Sequence, residues 1–222
     1  MPSLPLPLTL TARLSPVVVL AAAGWALTSG PLAAPPAAAH RPVEDTARTQ
    51  TASTPSTSAE SRTYTAAPAP CDSVAKKTVS SLVPGAKAAG KEIPSTDAQV
   101  RRTCSWNALK GYDYRWLDVS FEILASDEAA AGSYRSATAK RSGGGDVPGL
   151  GDGAYSVVNL TTEDKQQTRE GVVVARASNA LVTVTYNGSD FESKKAPDTD
   201  TINKGAIKAA KEAVAALEAG RD

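Results

Sequence analysis

The two cysteines are the residues whose chemistry can be assigned most firmly from this sequence. Cys71 and Cys104 lie 33 positions apart, without the C-x-x-C spacing of redox-active pairs. As thiolates they could instead ligate a metal, but the only histidine of the chain, His40, lies far upstream of both. In an oxidising compartment such a pair is typical of a structural bridge. We therefore predict a disulfide between Cys71 and Cys104, for which the chain-entropy model gives roughly 3–4 kcal/mol of stabilisation.

A second pattern, Ser73-Val74-Ala75-Lys76, matches the S-x-x-K nucleophile motif of penicillin-binding enzymes. Residues three apart share a helix face, so a serine–lysine pair is geometrically possible there. The pattern is short, however, and neither S-D-N nor K-T-G accompanies it; Ser189-Asp190-Phe191 is the nearest match. Lys77 follows Lys76 directly, which indicates a solvated helix face. We therefore assign no catalytic residue to this motif.

The glycine-rich stretch 143–153 is similar to a phosphate-binding loop only in composition. A P-loop lies between a strand and a helix and carries a lysine after its last glycine, whereas here no lysine follows and a strand is expected next. Asp146 and Asp152 could ligate calcium, but their spacing fits no calcium-binding loop. We predict a turn that leads into the following strand.

The scarcity of histidine removes most catalytic mechanisms. Ser-His-Asp, Cys-His and histidine–zinc catalysis have no candidate residues, because His40 is the sole histidine and precedes the predicted domain. Paired carboxylates could still act as general acid and base, but no pair stands out from the solvated charges. We expect no enzymatic activity, no cofactor and no metal. A small hydrolase that acts on wall or glycan through carboxylates is the alternative.

Aromatic side chains concentrate between positions 106 and 121. Trp106 shares a strand face with Cys104, since residues two apart point the same way, and we expect it in the core against the disulfide. Tyr112, Tyr114 and Trp116 lie closer to the predicted turn. Aromatic clusters pack small cores or line ligand and sugar sites. Both interpretations stay open for Tyr112, Tyr114 and Trp116, which are the possible ligand-lining residues of this chain.

Alternation and helical periodicity predict the elements that position these side chains. Leu117–Ile123 alternates apolar and polar residues strictly, which is typical of a strand with one buried face. Asp72 is the expected cap of the first helix, and Asn179 is expected to take a positive φ in a hairpin turn. The predicted helices are Asp72–Val83, Ser126–Arg141 and Asp200–Ala219. The predicted strands are Arg101–Ala108, Leu117–Ile123, Gly153–Leu160, Glu170–Arg176 and Ala180–Tyr186, and residues 86–99 are expected to be loop.

The order of these elements, α-β-β-α-β-β-β-α, predicts the fold class. Lys110-Gly111-Tyr112-Asp113 and Ala177-Ser178-Asn179 are short enough for hairpin turns, so neighbouring strands should run antiparallel. We predict an α+β fold with a mainly antiparallel sheet and helices packed on one face.

The first 39 residues are predicted to be an export signal. An apolar stretch follows Arg13, and Ala37-Ala38-Ala39 before His40 fits the A-x-A cleavage pattern. Pro16 and Pro31 bracket a run that is shorter than the ~20 residues of a membrane-spanning helix. We predict a cleaved signal peptide at 1–39. A retained membrane anchor and a buried helix are the alternatives.

Composition divides the rest of the chain in two. Residues 40–70 are mostly Thr, Ser, Ala and Pro and predict a disordered spacer, because they cannot bury enough apolar surface to offset their ordering entropy. Residues 71–222 form the predicted single domain, of ordinary size for one core. The whole chain has 24 basic and 23 acidic side chains. This balance argues against nucleic acid and against anionic membrane surfaces as partners.

Several motifs resemble one exported family. Cys71 at the start of a helix, Cys104-Ser105-Trp106 on a strand, Val147–Tyr155, and Ala177–Tyr186 before an alanine-rich terminal helix are similar to actinobacterial proteins catalogued as domain of unknown function 3558. The resemblance covers about 70–219. Many members of that family carry a lipobox; the first cysteine here follows Ala67-Pro68-Ala69-Pro70, so the resemblance does not extend to a lipid anchor. It implies a non-enzymatic module facing the envelope.

These observations predict a non-catalytic module of the bacterial envelope, secreted or exposed on the cell surface. An uncleaved N-terminal segment tethering it to the membrane is the alternative. We expect a monomer that binds an unidentified envelope ligand or protein.

Overall fold

Seven strands form one antiparallel sheet in the computed structural model, which describes residues 62–220. The strands are β1 (Lys91–Ile93), β2 (Arg101–Lys110), β3 (Asp113–Ile123), β4 (Gly145–Asp146), β5 (Gly153–Glu163), β6 (Gln166–Ala177) and β7 (Ala180–Asp190); the helices are α1 (Lys76–Leu82), α2 (Asp127–Ala139) and α3 (Thr199–Ala219). Across the sheet the strand order is β1-β2-β3-β7-β6-β5-β4, and each pairing is antiparallel. The predicted α+β class with a mainly antiparallel sheet is confirmed.

Both faces of the sheet carry helices, because alternate residues of a strand point to opposite sides. Val173 of β6 lies in the main core with α1 and α3, whereas Val172 and Val174 contact Tyr134 and Ala137 of α2. The predicted packing on one face holds for α1 and α3; α2 lies on the other face. Three consecutive valines in β6 are apolar on both sides of the strand, so each side needs a cover.

The observed elements are longer at the hairpins than predicted. The β2–β3 turn lies at Gly111 and Tyr112, within the predicted turn, and Lys110 pairs with Asp113. The β5–β6 ribbon extends past the core, since residues 159–163 are exposed. Hydrophobic alternation marks only the buried part of a strand, so polar ends that are held by backbone pairing escape it. For the same reason β1 lies in the predicted 86–99 loop and β4 in the predicted glycine-rich turn.

The first helix begins later than predicted. Pro70–Asp72 forms a short 3-10 helix, and α1 starts at Lys76 with Ala75 at its N-cap position, without a cap from its own side chain. The carboxylate of Glu212 in α3 instead accepts hydrogen bonds from the Ala75 N–H (2.9 Å) and the Thr78 hydroxyl (2.7 Å). The predicted cap by Asp72 is therefore wrong, because a side chain from a distant element occupies the role.

The β6–β7 turn also differs from its prediction. Ser178, not Asn179, has the positive φ, at 49°. Asn179 is completely buried, and its side-chain amide is used for hydrogen bonding. Its Oδ1 accepts from the Tyr64 N–H (2.9 Å), while its Nδ2 donates to the carbonyls of Tyr64 (2.8 Å) and Leu124 (3.0 Å). Asn179 therefore acts as a buried connector between three segments of the chain.

Residues 62–70 pack on the domain, and we call this segment the strap. Tyr64 and Ala67 are buried in the main core, and the Ala67 N–H donates to the Gln99 carbonyl at 2.9 Å. The predicted spacer therefore ends earlier than residue 70, because one tyrosine and specific backbone bonds order a segment that composition alone describes as soluble linker. The predicted signal peptide and residues 40–61 of the predicted spacer lie outside the described residues.

The predicted disulfide is confirmed. Cys71 and Cys104 are bonded, with their Cα atoms 5.1 Å apart. Trp106 lies on the same strand face, is 1% exposed, and donates from its indole N–H to the Ala88 carbonyl at 3.2 Å. The bridge thus fixes the start of the domain to the buried face of β2. Among the described residues, no helix has the length and hydrophobicity needed to cross a membrane.

Candidate functional site

Exposed aromatic side chains gather at one end of the sheet, on the face opposite α3. Residues two apart on β3 share this face, which brings together Tyr114, Trp116 and Asp118. Phe191, directly after β7, adds a third ring. We call Tyr114, Trp116 and Phe191 the aromatic patch. Trp116 is 37% exposed and Phe191 is 48% exposed, so large apolar surfaces face solvent.

Contacts within the patch fix the orientation of its rings. The Trp116 indole N–H donates to an Asp118 carboxylate oxygen at 2.6 Å. The Tyr114 ring contacts Trp116 edge-on, with 6.5 Å between centroids and 88° between planes, and lies 6.0 Å from Phe191 at 34°. These are favourable geometries for aromatic pairs. The indole is therefore presented to solvent in a defined orientation on a central strand.

The environment also acts on the phenol of Tyr114. Partial burial raises the pKa of Tyr114, and the negative charge of Asp118 raises it further. A tyrosine hydroxyl is already neutral at physiological pH, and the raised pKa keeps that of Tyr114 a hydrogen-bond donor to higher pH.

Polar side chains continue this face beyond the patch. In the sheet register, Trp116 lies between Asn107 of β2 and Asn187 of β7. Neither amide makes a side-chain hydrogen bond to another residue within 62–220, so each retains free donors and an acceptor. We call the row of polar side chains that follows the patch along the sheet the polar strip: Asn107, Asp118, Ser120, Thr183, Thr185 and Asn187.

Arg115 supports the patch from the other side of β3. Its guanidinium donates to the Asp113 carboxylate and, at 3.0 Å, to the Tyr114 carbonyl. It also crosses close to Gly188 of β7, where an added Cβ would lie 2.6 Å from a guanidinium nitrogen. Because Gly188 has no side chain, the Arg115 guanidinium can pack against β7 here, on the side of the sheet opposite the three aromatic rings.

The three possible ligand-lining residues from the sequence are not equivalent. The structure brings Tyr114 and Trp116 into contact. Tyr112 is 58% exposed in the β2–β3 turn and makes no ring contact with another described aromatic residue. Sequence reasoning missed Phe191, Asn107 and Asn187, because only strand register shows that they adjoin the patch.

The S-x-x-K residues do not share a helix. Ser73 ends the 3-10 helix and is buried, with its hydroxyl donating to the Pro70 carbonyl at 2.7 Å. Lys76 is the exposed first residue of α1. The serine hydroxyl is therefore committed to the local turn, and the motif has a structural explanation.

The glycine-rich stretch supports the β6–β7 turn. Asp152 accepts from the Ser178 N–H at 2.6 Å and forms an ion pair with Arg176 at 3.2 Å. Gly151 has φ +59°, and an added Cβ would lie 2.3 Å from the Arg176 carbonyl oxygen, so only glycine fits. Residues 62–220 contain no cluster of three side chains suited to a metal ion.

Comparison with known proteins gives no family for this chain. No protein-family model matches it, and no curated protein matches it. A crystal structure from Bacteroides thetaiotaomicron is similar, with a TM-score of 0.29 and 9% sequence identity over 54% of this chain and 47% of that chain. The chain thus spans about half the length of that protein. Similarity at this level carries no argument about fold or function.

Proposed function

We propose that this protein is a non-catalytic binding module of the bacterial envelope, secreted or held at the cell surface, and that it belongs to the exported family that its motifs resemble. The aromatic patch carries this proposal. Exposed aromatic rings with fixed orientation, beside unpaired amides, are typical of a binding surface.

The rigidity of the patch supports a role in recognition. Tyr114 and Trp116 lie on β3, which pairs on both sides along most of its length. Aromatic side chains on a rigid strand lose little conformational entropy on binding, so more of the contact energy contributes to affinity. The disulfide agrees with an oxidising, extracellular location.

A binding assay on cell envelopes tests the proposal. Protein recovered after export is mixed with washed envelopes of an actinobacterium, and bound and free protein are separated by centrifugation. We expect saturable binding by the wild type and binding at least tenfold weaker after the double change Tyr114→Ala and Trp116→Ala, because truncation of central aromatic residues commonly costs about 2 kcal/mol or more.

Leu160→Ala provides the matched control. Leu160 is 48% exposed on the β5–β6 ribbon, away from the patch, so its truncation removes a similar exposed apolar group without touching the site. This variant should bind like the wild type. Equal binding by the double variant, or an equal loss in Leu160→Ala, would contradict the proposal. Release of reducing sugar ends from the envelopes by the wild type would indicate a carboxylate hydrolase instead.

A further inference from the structure

We infer that the surface formed by the aromatic patch and the polar strip, beside the part of this sheet face that α2 covers, binds a neutral polysaccharide chain; this inference rests on the proposed function and names its ligand class. The aromatic patch and the polar strip are continuous on one face of β2, β3 and β7. From Tyr114 to Ser120 along β3 the face extends for about 20 Å, at ~3.4 Å per residue. It is therefore long enough to contact several consecutive sugar rings.

The indole of Trp116 supplies the apolar half of sugar recognition. One face of a pyranose ring consists of C–H groups, which pack against the electron-rich face of an aromatic ring. The hydrogen bond from the Trp116 N–H to Asp118 consumes the polar atom of the indole, so the exposed part of the ring is left for apolar contact. The same bond holds the ring in position before a ligand arrives.

The two flanking amides supply the polar half. Asn107 and Asn187 lie on either side of Trp116 in the register and keep their amide groups free of hydrogen bonds within 62–220. An amide both donates and accepts, which matches a pair of neighbouring hydroxyl groups on a sugar. A sugar ring stacked on Trp116 could therefore form hydrogen bonds with the amides on both sides of the indole.

Further hydroxyl groups extend this pattern along the strip. Asp118 lies between Ser105 and Thr185, and Ser120 lies between Thr103 and Thr183 in the adjacent registers. The Ser105 hydroxyl is buried, and the Thr103 hydroxyl donates to that of Ser120 at 2.9 Å, which leaves Asp118, Ser120, Thr183 and Thr185 as the polar groups of the strip here. Side chains of this kind hydrogen-bond to sugar hydroxyls and present little apolar surface. An acyl chain or a lipid surface would find only the patch to contact, and the polar strip would have to lose water without compensation.

The charges on this face favour a neutral chain over an anionic one. Arg101 is paired with Glu122 at 2.6 Å at the far end of the strip. Arg176 of β6 also lies on this face and is paired with Asp152 at 3.2 Å. Other charged strand residues beside the strip are Asp118, Glu170 on β6 and Lys91 on the edge strand β1. Phosphate or carboxylate polymers select clustered arginine and lysine, and the described part of this face has no such cluster.

Selective destruction of envelope components distinguishes the possible ligands. Envelopes are treated in parallel with periodate, which cleaves vicinal diols of sugars, with protease that is then inactivated, or with organic solvent that extracts lipid. Full-length protein is then tested for binding to each preparation. We expect binding to fall at least tenfold after periodate and to stay unchanged after protease or solvent.

Variants connect this result to the face. Trp116→Phe keeps a stacking ring and should retain most of the binding, while Trp116→Ala and the double change Asn107→Ala with Asn187→Ala should each weaken binding about tenfold or more. Since these side chains are at least partly exposed, the variants should melt like the wild type, which circular dichroism checks. Binding should also change little between about 0.05 M and about 0.5 M salt, because no cluster of cations is involved.

The outcomes separate this inference from the proposed function. Binding that survives periodate and disappears after protease or solvent would refute a polysaccharide ligand and leave an envelope-binding module with a protein or lipid partner. Strong salt dependence would refute a neutral ligand. A wild type that binds none of the untreated envelopes would refute both proposals.

Discussion

Asn179→Ala tests whether one buried amide holds the strap to the sheet. Asn179 is completely buried and makes three hydrogen bonds: two with the backbone of Tyr64 and one with the carbonyl of Leu124. Alanine would remove all three and leave buried backbone groups without partners. At about 1 kcal/mol for each bond, we expect the free energy of unfolding to fall by about 3 kcal/mol.

Glycine at the two turn positions separates this role from a turn preference. If Asn179 were present for a left-handed backbone conformation, Asn179→Gly would be well tolerated. We expect it to cost at least as much as Asn179→Ala, because the amide is lost and the unfolded chain gains freedom. Ser178 has the positive φ, so Ser178→Gly should be neutral within about 0.5 kcal/mol or slightly stabilising.

Urea unfolding curves monitored by circular dichroism measure these differences, and the dependence of the free energy of unfolding on urea concentration should have the same slope in each variant. Limited proteolysis gives an independent reading, since the strap should resist cleavage in the wild type and be cut within 62–70 in Asn179→Ala. A loss below about 1 kcal/mol, or a strap equally protected in the variant, would show that the amide does not hold this segment.

Three further predictions concern other parts of the core. Replacing Cys71 and Cys104 with alanine should lower the free energy of unfolding by about 3–4 kcal/mol for a 33-residue loop, and thiol labelling of the native protein should find no free thiol; two reactive thiols would refute the bridge. Glu212→Ala should cost about 1 kcal/mol by removing the cap of α1, and an unchanged urea midpoint would refute that role. Burial raises the pKa of Tyr186 in the folded state. The contribution of this shift to the free energy of unfolding is therefore complete below the unfolded pKa of about 10 and is lost as the pH rises through the folded pKa. Tyr186→Phe should reduce this loss of stability at alkaline pH, measured by unfolding curves over a series of pH values.

Local patterns were sufficient for the framework of this protein. Strict alternation in Leu117–Ile123 fixed one buried face of β3, and helical periodicity predicted a terminal helix at Asp200–Ala219, within one residue of the observed α3. Spacing and compartment were enough to predict the pairing of Cys71 with Cys104. Each of these signals depends on neighbours within a few residues or on a pair of unique residues, so it can be read along the chain.

Other features depend on contacts between residues far apart in sequence. Glu212 caps a helix 137 positions upstream of it, and Asn179 bonds to Tyr64 across 115 positions. The local sequence indicates only a solvent-exposed charge at Glu212 and a turn residue at Asn179. The strap was predicted to be spacer for the same reason, since its composition does not reveal that the Asn179 amide hydrogen-bonds to it.

The candidate site was partly predictable from sequence. Tyr112, Tyr114 and Trp116 were identified together by crowding along the chain, yet only two of them meet. The predicted strand began only at Leu117, so the sequence placed Tyr114 and Trp116 near the turn. In the structure β3 begins at Asp113, and the alternation of side-chain direction then puts both residues on one strand face. The tertiary structure alone decided that Asn107, Asn187 and Phe191 join them, because the pairing of β3 with β2 and β7 sets which distant residues become neighbours, and that register depends on the whole sheet.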